Sequence, residues 1–252
     1  MSKILYANGC SWTFGNGISA DPNFPHTGNY DMDFTLGHKR YSWPAVLATN
    51  LSYLCINDSL GSGSNKRIVR TTCNFLMNIP KNQYKDIIVV IGWTTIERNE
   101  IHHYDTNKWI VFNARQQFSS TSSFNLSGEE YYKKMVDEYQ KLYVTYVYSE
   151  VENLTNYVHQ KYVLSNLLEN LGIKYIFFDS LPPSFIGEPK FNYEVEFEKI
   201  KNNNMITDIS FMDFCNLNNI PVSSCVHPMI EGHKIWANKL YDKLFSLYGD
   251  QL

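Results

Sequence analysis

Three short apolar runs constrain this chain more than any other feature: Lys3–Ala7 (KILYA), Asp86–Ile91 (DIIVVI) and Lys174–Asp179 (KYIFFD). Each ends in small or polar residues, and Leu54–Asn57 is a weaker fourth. Runs that stay apolar on successive residues suit strands covered on both faces, which is the environment of a parallel sheet. Helical patterns lie between them. Trp43–Leu51 places Val46, Leu47 and Leu51 on one side, and Asn65–Met77 does the same with Ile68, Val69, Cys73, Leu76 and Met77. Glu129–Leu171 is long and helical in pattern, with a break expected near Glu150–Leu154. A last helix is expected over Met229–Leu247, with Ile235, Trp236, Leu240, Leu244 and Leu247 on one stripe. Alternating β and α predicts a doubly wound, three-layer α/β/α sandwich with a flavodoxin-like parallel sheet. The 252 residues suit a single domain over 1–252.

Three segments fit that alternation badly: residues 19–42, 99–127 and 181–206. They are rich in Pro, Gly, Asn and Ser and read as long loops after candidate strand ends. Loops in that position are more often binding walls than neutral connections. Trp12, Phe24, Tyr30, Trp93, Tyr104 and Trp109 suit either a sugar-binding wall or plain packing.

Composition excludes several classes. A net charge of -3 argues against nucleic acid as a partner, which needs clustered Lys and Arg. Lys66, Arg67 and Arg70 read as a solvated helix face. The five cysteines show no CxxC pair and no Cys/His ligand spacing, so they read as reduced thiols of a cytoplasmic protein. No run resembles a signal peptide or a membrane span. Adjacent His102 and His103 would point to opposite faces of a strand, which argues against a shared metal.

Ligands of open α/β sheets bind outside the carboxyl ends of the strands. Four clusters fall there: Gly9-Cys10-Ser11, Asn57–Asn65 (NDSLGSGSN), Gly92-Trp93-Thr94-Thr95 and Val226-His227-Pro228. They supply a serine, a Gly/Ser-rich loop of main-chain donors, a hydroxyl and a histidine. Acyl transfer needs such a set: a hydroxyl nucleophile, a base for its proton, and preorganised donors for the oxyanion. Other readings exist for each. Ser11 suits a turn or helix N-cap, Ser64 or Asn65 a helix cap, and His233 a structural role. The Gly/Ser loop lacks the ending of a Walker loop and the strict Gly-x-Gly-x-x-Gly pattern. Thr13 stands where a Gly-x-Ser-x-Gly elbow requires Gly.

The order of these clusters resembles the SGNH (GDSL-type) hydrolases. Gly9-Cys10-Ser11-Trp12-Thr13 is similar to that family's Gly-Asp-Ser block, with Cys10 at the Asp position. Asn57–Asn65 holds its oxyanion glycine block, with Ser62 at the Gly position between Gly61 and Gly63. Gly92-Trp93-Thr94-Thr95 is similar to its Gly-x-Asn-Asp block, and Thr94 replaces the Asn. Ser224-Cys225-Val226-His227 is similar to its Asp-x-x-His block, with Ser224 at the Asp position. The resemblance implies a divergent serine ester hydrolase with no cofactor and no metal. Its substrate would be a small acyl ester, such as an O-acetyl group on a carbohydrate. Ser11 would be the nucleophile and His227 the base, with Ser11, Gly61, Ser62, Gly63 and Thr94 around the oxyanion. Ser224 or Asp213, or a main-chain carbonyl, would orient His227. Acyl transfer to an acceptor alcohol, or a non-catalytic glycan-binding role on the same fold, are the alternatives.

Overall fold

β3 (Ile87–Trp93) carries the clearest record of how this chain folds. Its residues alternate between two apolar clusters: Ile88 and Val90 face one, Ile87, Val89 and Ile91 the other. A strand presents successive side chains to opposite faces, so a strand apolar on both must be covered on both. The computed structural model describes residues 2–104, 107–114, 130–182, 204–206 and 209–252. Its strands are β1 (Ile4–Gly9), β2 (Leu54–Asn57), β3 (Ile87–Trp93), β4 (Arg98–His103), β5 (Lys108–Asn113), β6 (Lys174–Asp179) and β7 (Met205–Ile206). Its α-helices are α1 (Ser11–Phe14), α2 (Tyr30–Leu36), α3 (Trp43–Leu51), α4 (Asn65–Asn78), α5 (Glu130–Leu142), α6 (Glu150–Asn170), α7 (Phe211–Leu217) and α8 (Ile230–Tyr248).

The central sheet is parallel, in the order β2-β1-β3-β6-β7. On one face α3 and α8 cover it, with Trp43, Leu47, Trp236, Leu240 and Leu244 fully buried. On the other, α4 and α6 contribute Ile68, Leu76, Val158, Leu164 and Leu168. This is the expected α/β/α sandwich. The chain runs outward to β2 and then back across to β3, so the order reverses between β1 and β3. That reversal opens a crevice at the carboxyl ends of those two strands.

Several local differences have physical causes. The long helical pattern breaks just before Glu150, where the Ser149 side chain caps α6 by accepting the Glu152 N–H at 3.2 Å. Within 99–127, expected as a loop, β4 and β5 form an antiparallel hairpin from Arg98 to Asn113. Ile110, Val111 and Phe112 of β5 are buried, and Phe112 packs edge-on to Tyr139 of α5. Arg70 of α4 clamps it with a bidentate pair to Glu100, at 3.0 and 2.9 Å. Of the expected loop 19–42, residues 30–36 form α2, whose Asp33 accepts from Thr27 and His26. The Ser-rich stretch before residue 127, and Pro183 and Pro189, lie outside the described residues. No helix among the described residues is long and apolar enough to cross a membrane.

Candidate active site

The carboxyl end of β1 explains why its last residue is glycine. A Cβ at Gly9 would lie 2.1 Å from Thr13 Oγ1 and 2.8 Å from the Gly92 carbonyl oxygen. No side chain fits, so β1 and β3 close on each other and the chain turns directly into α1. Asn8, wholly buried, fixes the turn. Its Oδ1 accepts the Gly9 N–H at 2.8 Å, and its amide donates to the Thr71 hydroxyl at 2.7 Å. The loop after β2 docks on the same strand end. Leu60 N–H donates to the Gly9 carbonyl, and Asn57 Nδ2 to the Thr13 carbonyl.

Ser11 begins α1 and is 4% exposed. Its Oγ lies 2.7 Å from His227 Nε2. Residues 216 apart in the chain thus meet at the crevice between β1 and β3. His227 ends a tight turn. Val226 N–H donates to the Ser223 carbonyl at 2.9 Å, and Ser223 N–H returns a bond to the His227 carbonyl at 2.8 Å. Val226 takes φ +62°, a left-handed conformation that a β-branched residue rarely adopts. Such a residue stores about 1–3 kcal/mol, held by the surrounding packing. Gly17 presses on the same turn: a Cβ there would come within 2.8 Å of both His227 Cβ and Ser223 Oγ.

The second nitrogen of the imidazole meets Cys225. Nδ1 lies 3.2 Å from its Sγ, and a hydrogen bond with the Cys225 main chain also acts on the ring. Neither group foreseen for this role occupies it. Asp213 is engaged in the cap of α7: Ser210, the N-cap, accepts the Asp213 N–H on Oγ and donates its hydroxyl to the Asp213 carboxylate at 2.7 Å. Ser224 is exposed at the surface of the turn and makes no hydrogen bond to His227 among the described residues. Burial is the main cause that lowers the His227 pKa, opposed by the Cys225 main chain and assisted by the Arg98 charge. The imidazole is therefore neutral at pH 7. With the proton on Nδ1, on the Cys225 side of the ring, Nε2 is the nitrogen that faces Ser11 and can take its proton.

The other foreseen residues divide. Thr94 follows β3 at 2% exposure. Its main chain is clamped by Asn65, whose Oδ1 accepts the Thr94 N–H and whose Nδ2 donates to the Thr94 carbonyl, both at 3.0 Å. Its Oγ1 is buried and has no hydrogen-bond partner among the described residues. In the loop after β2, Gly63 is a correction. Its N–H donates to the Leu60 carbonyl at 2.9 Å, closing a turn with Ser62 at φ +62°, and is not available to a ligand. Gly63 is instead required by close approach, since a Cβ would lie 3.1 Å from the Gly9 carbonyl oxygen. The N–H groups of Gly61 and Ser62, and that of Ser11 in the first turn of α1, make no hydrogen bond among the described residues. Asn16, with its Oδ1 buried and unpaired among the described residues, lies against Gly61.

The chain belongs to the family of unknown function DUF6071. The match covers residues 29–249, so it includes Thr94 and His227 while Ser11 precedes it. No curated protein matches the sequence. Among solved structures, the psychrotrophic esterase EstA from Pseudoalteromonas sp. superposes with a TM-score of 0.50 at 10% identity, over 97% of this chain and 98% of its own. A carbohydrate esterase whose active site displays divergent catalytic and non-catalytic binding functions superposes with the same score at 11% identity, over 99% and 70%. The chain has an SGNH hydrolase-like fold.

Residues outside the foreseen set complete the picture. Cys225, Ser223 and Gly17 shape the His227 turn, and Asn65 sets Thr94. Gly15-Asn16-Gly17 signals a turn in the sequence, but nothing local signals a valine at positive φ. His233 is structural: fully buried, it accepts the Trp43 N–H on Nδ1 at 3.1 Å, and burial drives its pKa down to about 3. Trp12, Phe24 and Trp93 are buried packing residues, while Tyr30, Tyr104 and Trp109 are exposed. Trp12 lies beside the His227 ring, with centroids 5.9 Å apart. His102 bonds Asn107 at 3.0 Å and packs on Trp109. No group of three metal-ligating side chains gathers among the described residues.

Proposed function

We propose that the protein hydrolyses small acyl esters with Ser11 as nucleophile. The observation that carries this reading is the 2.7 Å contact between Ser11 Oγ and a neutral His227 at the crevice between β1 and β3. In the first step His227 Nε2 takes the Ser11 proton as Oγ forms a bond to the ester carbonyl carbon. The oxyanion is held by the N–H groups of Ser11, Gly61 and Ser62 and by the Thr94 hydroxyl. As the bond to the leaving oxygen breaks, the imidazolium returns the proton to the alcohol. A water then repeats the sequence on the acyl-serine and restores the free enzyme. The names of structural relatives, an esterase and a carbohydrate esterase, favour an O-acyl carbohydrate as substrate.

The imidazolium leans on a neutral partner at Cys225 rather than on a carboxylate, so turnover is expected to be modest. The test is covalent. A fluorophosphonate should label the wild type at Ser11, and p-nitrophenyl acetate should be hydrolysed. Ser11→Ala should abolish labelling, and both Ser11→Ala and His227→Ala should cut turnover by at least about a thousandfold. An unlabelled wild type with no turnover of any ester would leave a binding role on this fold.

A further inference from the structure

Arg67 lies in the first turn of α4, where the sequence reads a solvated helix face, yet its side chain is only 13% exposed. It turns toward the carboxyl end of β1. Its Nη1 donates to the Asp58 carbonyl at 2.7 Å and to Asn8 Oδ1 at 3.3 Å, and its Nη2 donates to Asp58 Oδ1 at 3.2 Å. Asn8 and Asp58 belong to different strand ends. Asn8 Oδ1 also accepts the Gly9 N–H, in the turn that delivers Ser11. Asp58 opens the loop after β2, three residues before Gly61. One guanidinium therefore spans the turn of the nucleophile and the loop that carries the Gly61 and Ser62 N–H groups.

The loop needs such a tie. Its Ser-Leu-Gly-Ser-Gly-Ser run has two glycines, whose backbone gives up the most freedom on ordering, and Ser62 is held at φ +62°. Asp58 N–H donates to the Ala7 carbonyl at 2.9 Å and Leu60 N–H to the Gly9 carbonyl at 3.2 Å. Arg67 joins both ends: its side chain holds Asp58, and its main-chain N–H donates to Ser64 Oγ at 3.1 Å. Asp58 is braced from the other side by the Tyr6 hydroxyl, which donates to Oδ2 at 2.9 Å. Arg70, one turn further along α4, reaches Glu100 and the Trp109 ring instead. A guanidinium presents several donors in a fixed fork, so it can hold a carbonyl, a carboxylate and an amide oxygen in one geometry, which an ammonium cannot. Oxyanion donors act at about 2.7–3.1 Å from the developing charge, and a displacement of about 1 Å can cost about a hundredfold in rate.

We propose that Arg67 is a positioning residue for the reaction at Ser11: it holds the Gly61 and Ser62 donors in register with the turn that carries the nucleophile, without touching the substrate. The proposal rests on the serine-hydrolase reading and adds a residue to its machinery. Arg67→Met keeps the aliphatic stem and removes the fork. On p-nitrophenyl acetate its kcat should fall about tenfold to a hundredfold, while KM stays within about twofold. Fluorophosphonate labelling of Ser11 should slow by a similar factor, because the phosphonyl oxygen occupies the oxyanion site. Arg67→Lys keeps the charge and part of the bonding, so it should recover part of both rates. A lower urea midpoint with wild-type kcat in the folded protein would make Arg67 a stabilising residue only and overturns the proposal. A raised KM with unchanged kcat overturns it by placing Arg67 on the substrate. Arg67→Lys no faster than Arg67→Met assigns the loss to packing and overturns it as well. If Arg67→Met does not fold, Arg67→Gln is judged by the same kcat and KM outcomes. A wild type that neither labels nor turns over an ester ends the hydrolase reading and this proposal with it. A wild type that labels, with Arg67→Met labelling as fast, ends this proposal alone.

Discussion

Two clusters of titratable side chains stand at the carboxyl edge of the same sheet, and they are built on opposite terms. At the end of β6, Asp179 accepts from Lys161 Nζ at 2.7 Å, and Tyr157 hydrogen-bonds to both. Burial pushes the Lys161 pKa down, and Asp179 pushes it back up. Burial and Asp179 together raise the Tyr157 phenol. Lys161 also sits 4.0 Å from the centre of the Tyr157 ring. Every polar group in this cluster consumes another, and the result fastens α6 to the sheet. At the end of β1 and β3, Ser11 and His227 share one hydrogen bond, Thr94 Oγ1 has none, and Val226 is held at a costly angle. Burial of ionisable groups is common to both. Hydrogen-bonding capacity left open is found at only one, and that is where chemistry is expected.

Breaking the closed cluster should cost the fold and spare the chemistry. Lys161→Met leaves Asp179 without its cation, and losing one partner of a buried pair costs about 3–5 kcal/mol. Asp179 keeps some solvent contact, so the low end is expected, read as a fall in the urea midpoint. Adding Asp179→Asn should recover part of the loss by removing the stranded charge. Fluorophosphonate labelling of the folded fraction should not change. A variant as stable as wild type, or one that folds but no longer labels, would erase the distinction between the clusters.

Thr94→Val sharpens the comparison from the open side. The substitution keeps shape and leaves the Asn65 clamp on the main chain in place. An oxyanion donor is worth roughly 2.7–4 kcal/mol of transition-state stabilisation, so kcat should fall about a hundredfold to a thousandfold. The hydroxyl it removes is buried and unpaired, so stability should hold or rise by about 1 kcal/mol. Activity and stability moving in opposite directions is the signature of an open group. An unchanged rate on p-nitrophenyl acetate would take Thr94 out of the oxyanion site.

The layers of the fold were legible because burial writes itself into sequence as period. Leu54–Asn57 and Lys174–Asp179 are strands, and Trp43–Leu51 a helix, over the residues where the pattern runs. The β4–β5 hairpin was not legible. Its first strand, Arg-Asn-Glu-Ile-His-His, carries one apolar residue and owes its place to contacts such as Arg70–Glu100 that no local pattern encodes. The site divides in the same way. Ser11 and Thr94 follow strands and His227 precedes the last helix, and that order in the sequence is what made a meeting of Ser11 and His227 an expectation. Asp213 was misassigned because a carboxylate near a histidine in sequence says nothing of direction, and a helix cap had the stronger claim on it. Gly63 was misassigned because a glycine required for close approach looks the same as one that offers its N–H.

The smallest expected effect concerns Cys225, which touches His227 twice, through Sγ and through its main chain. Cys225→Ala removes only the first. If the carbonyl fixes the proton on Nδ1, the tautomer survives and kcat/KM should fall by no more than about tenfold. Removing the acid of a true triad costs about four orders of magnitude, so the two cases are far apart. The pH profile gives an independent reading. The rate requires the neutral base, so it falls as pH drops through the pKa of His227. Burial, with the Arg98 charge, lowers that pKa, so the acid limb should lie on the acid side of an ordinary histidine's. Loss of Sγ leaves burial, the Arg98 charge and the main-chain bond in place, so the acid limb should stay where it is. A ten-thousandfold loss would make the thiol the orienting group, and His227 would then stand between a serine and a cysteine that both depend on it.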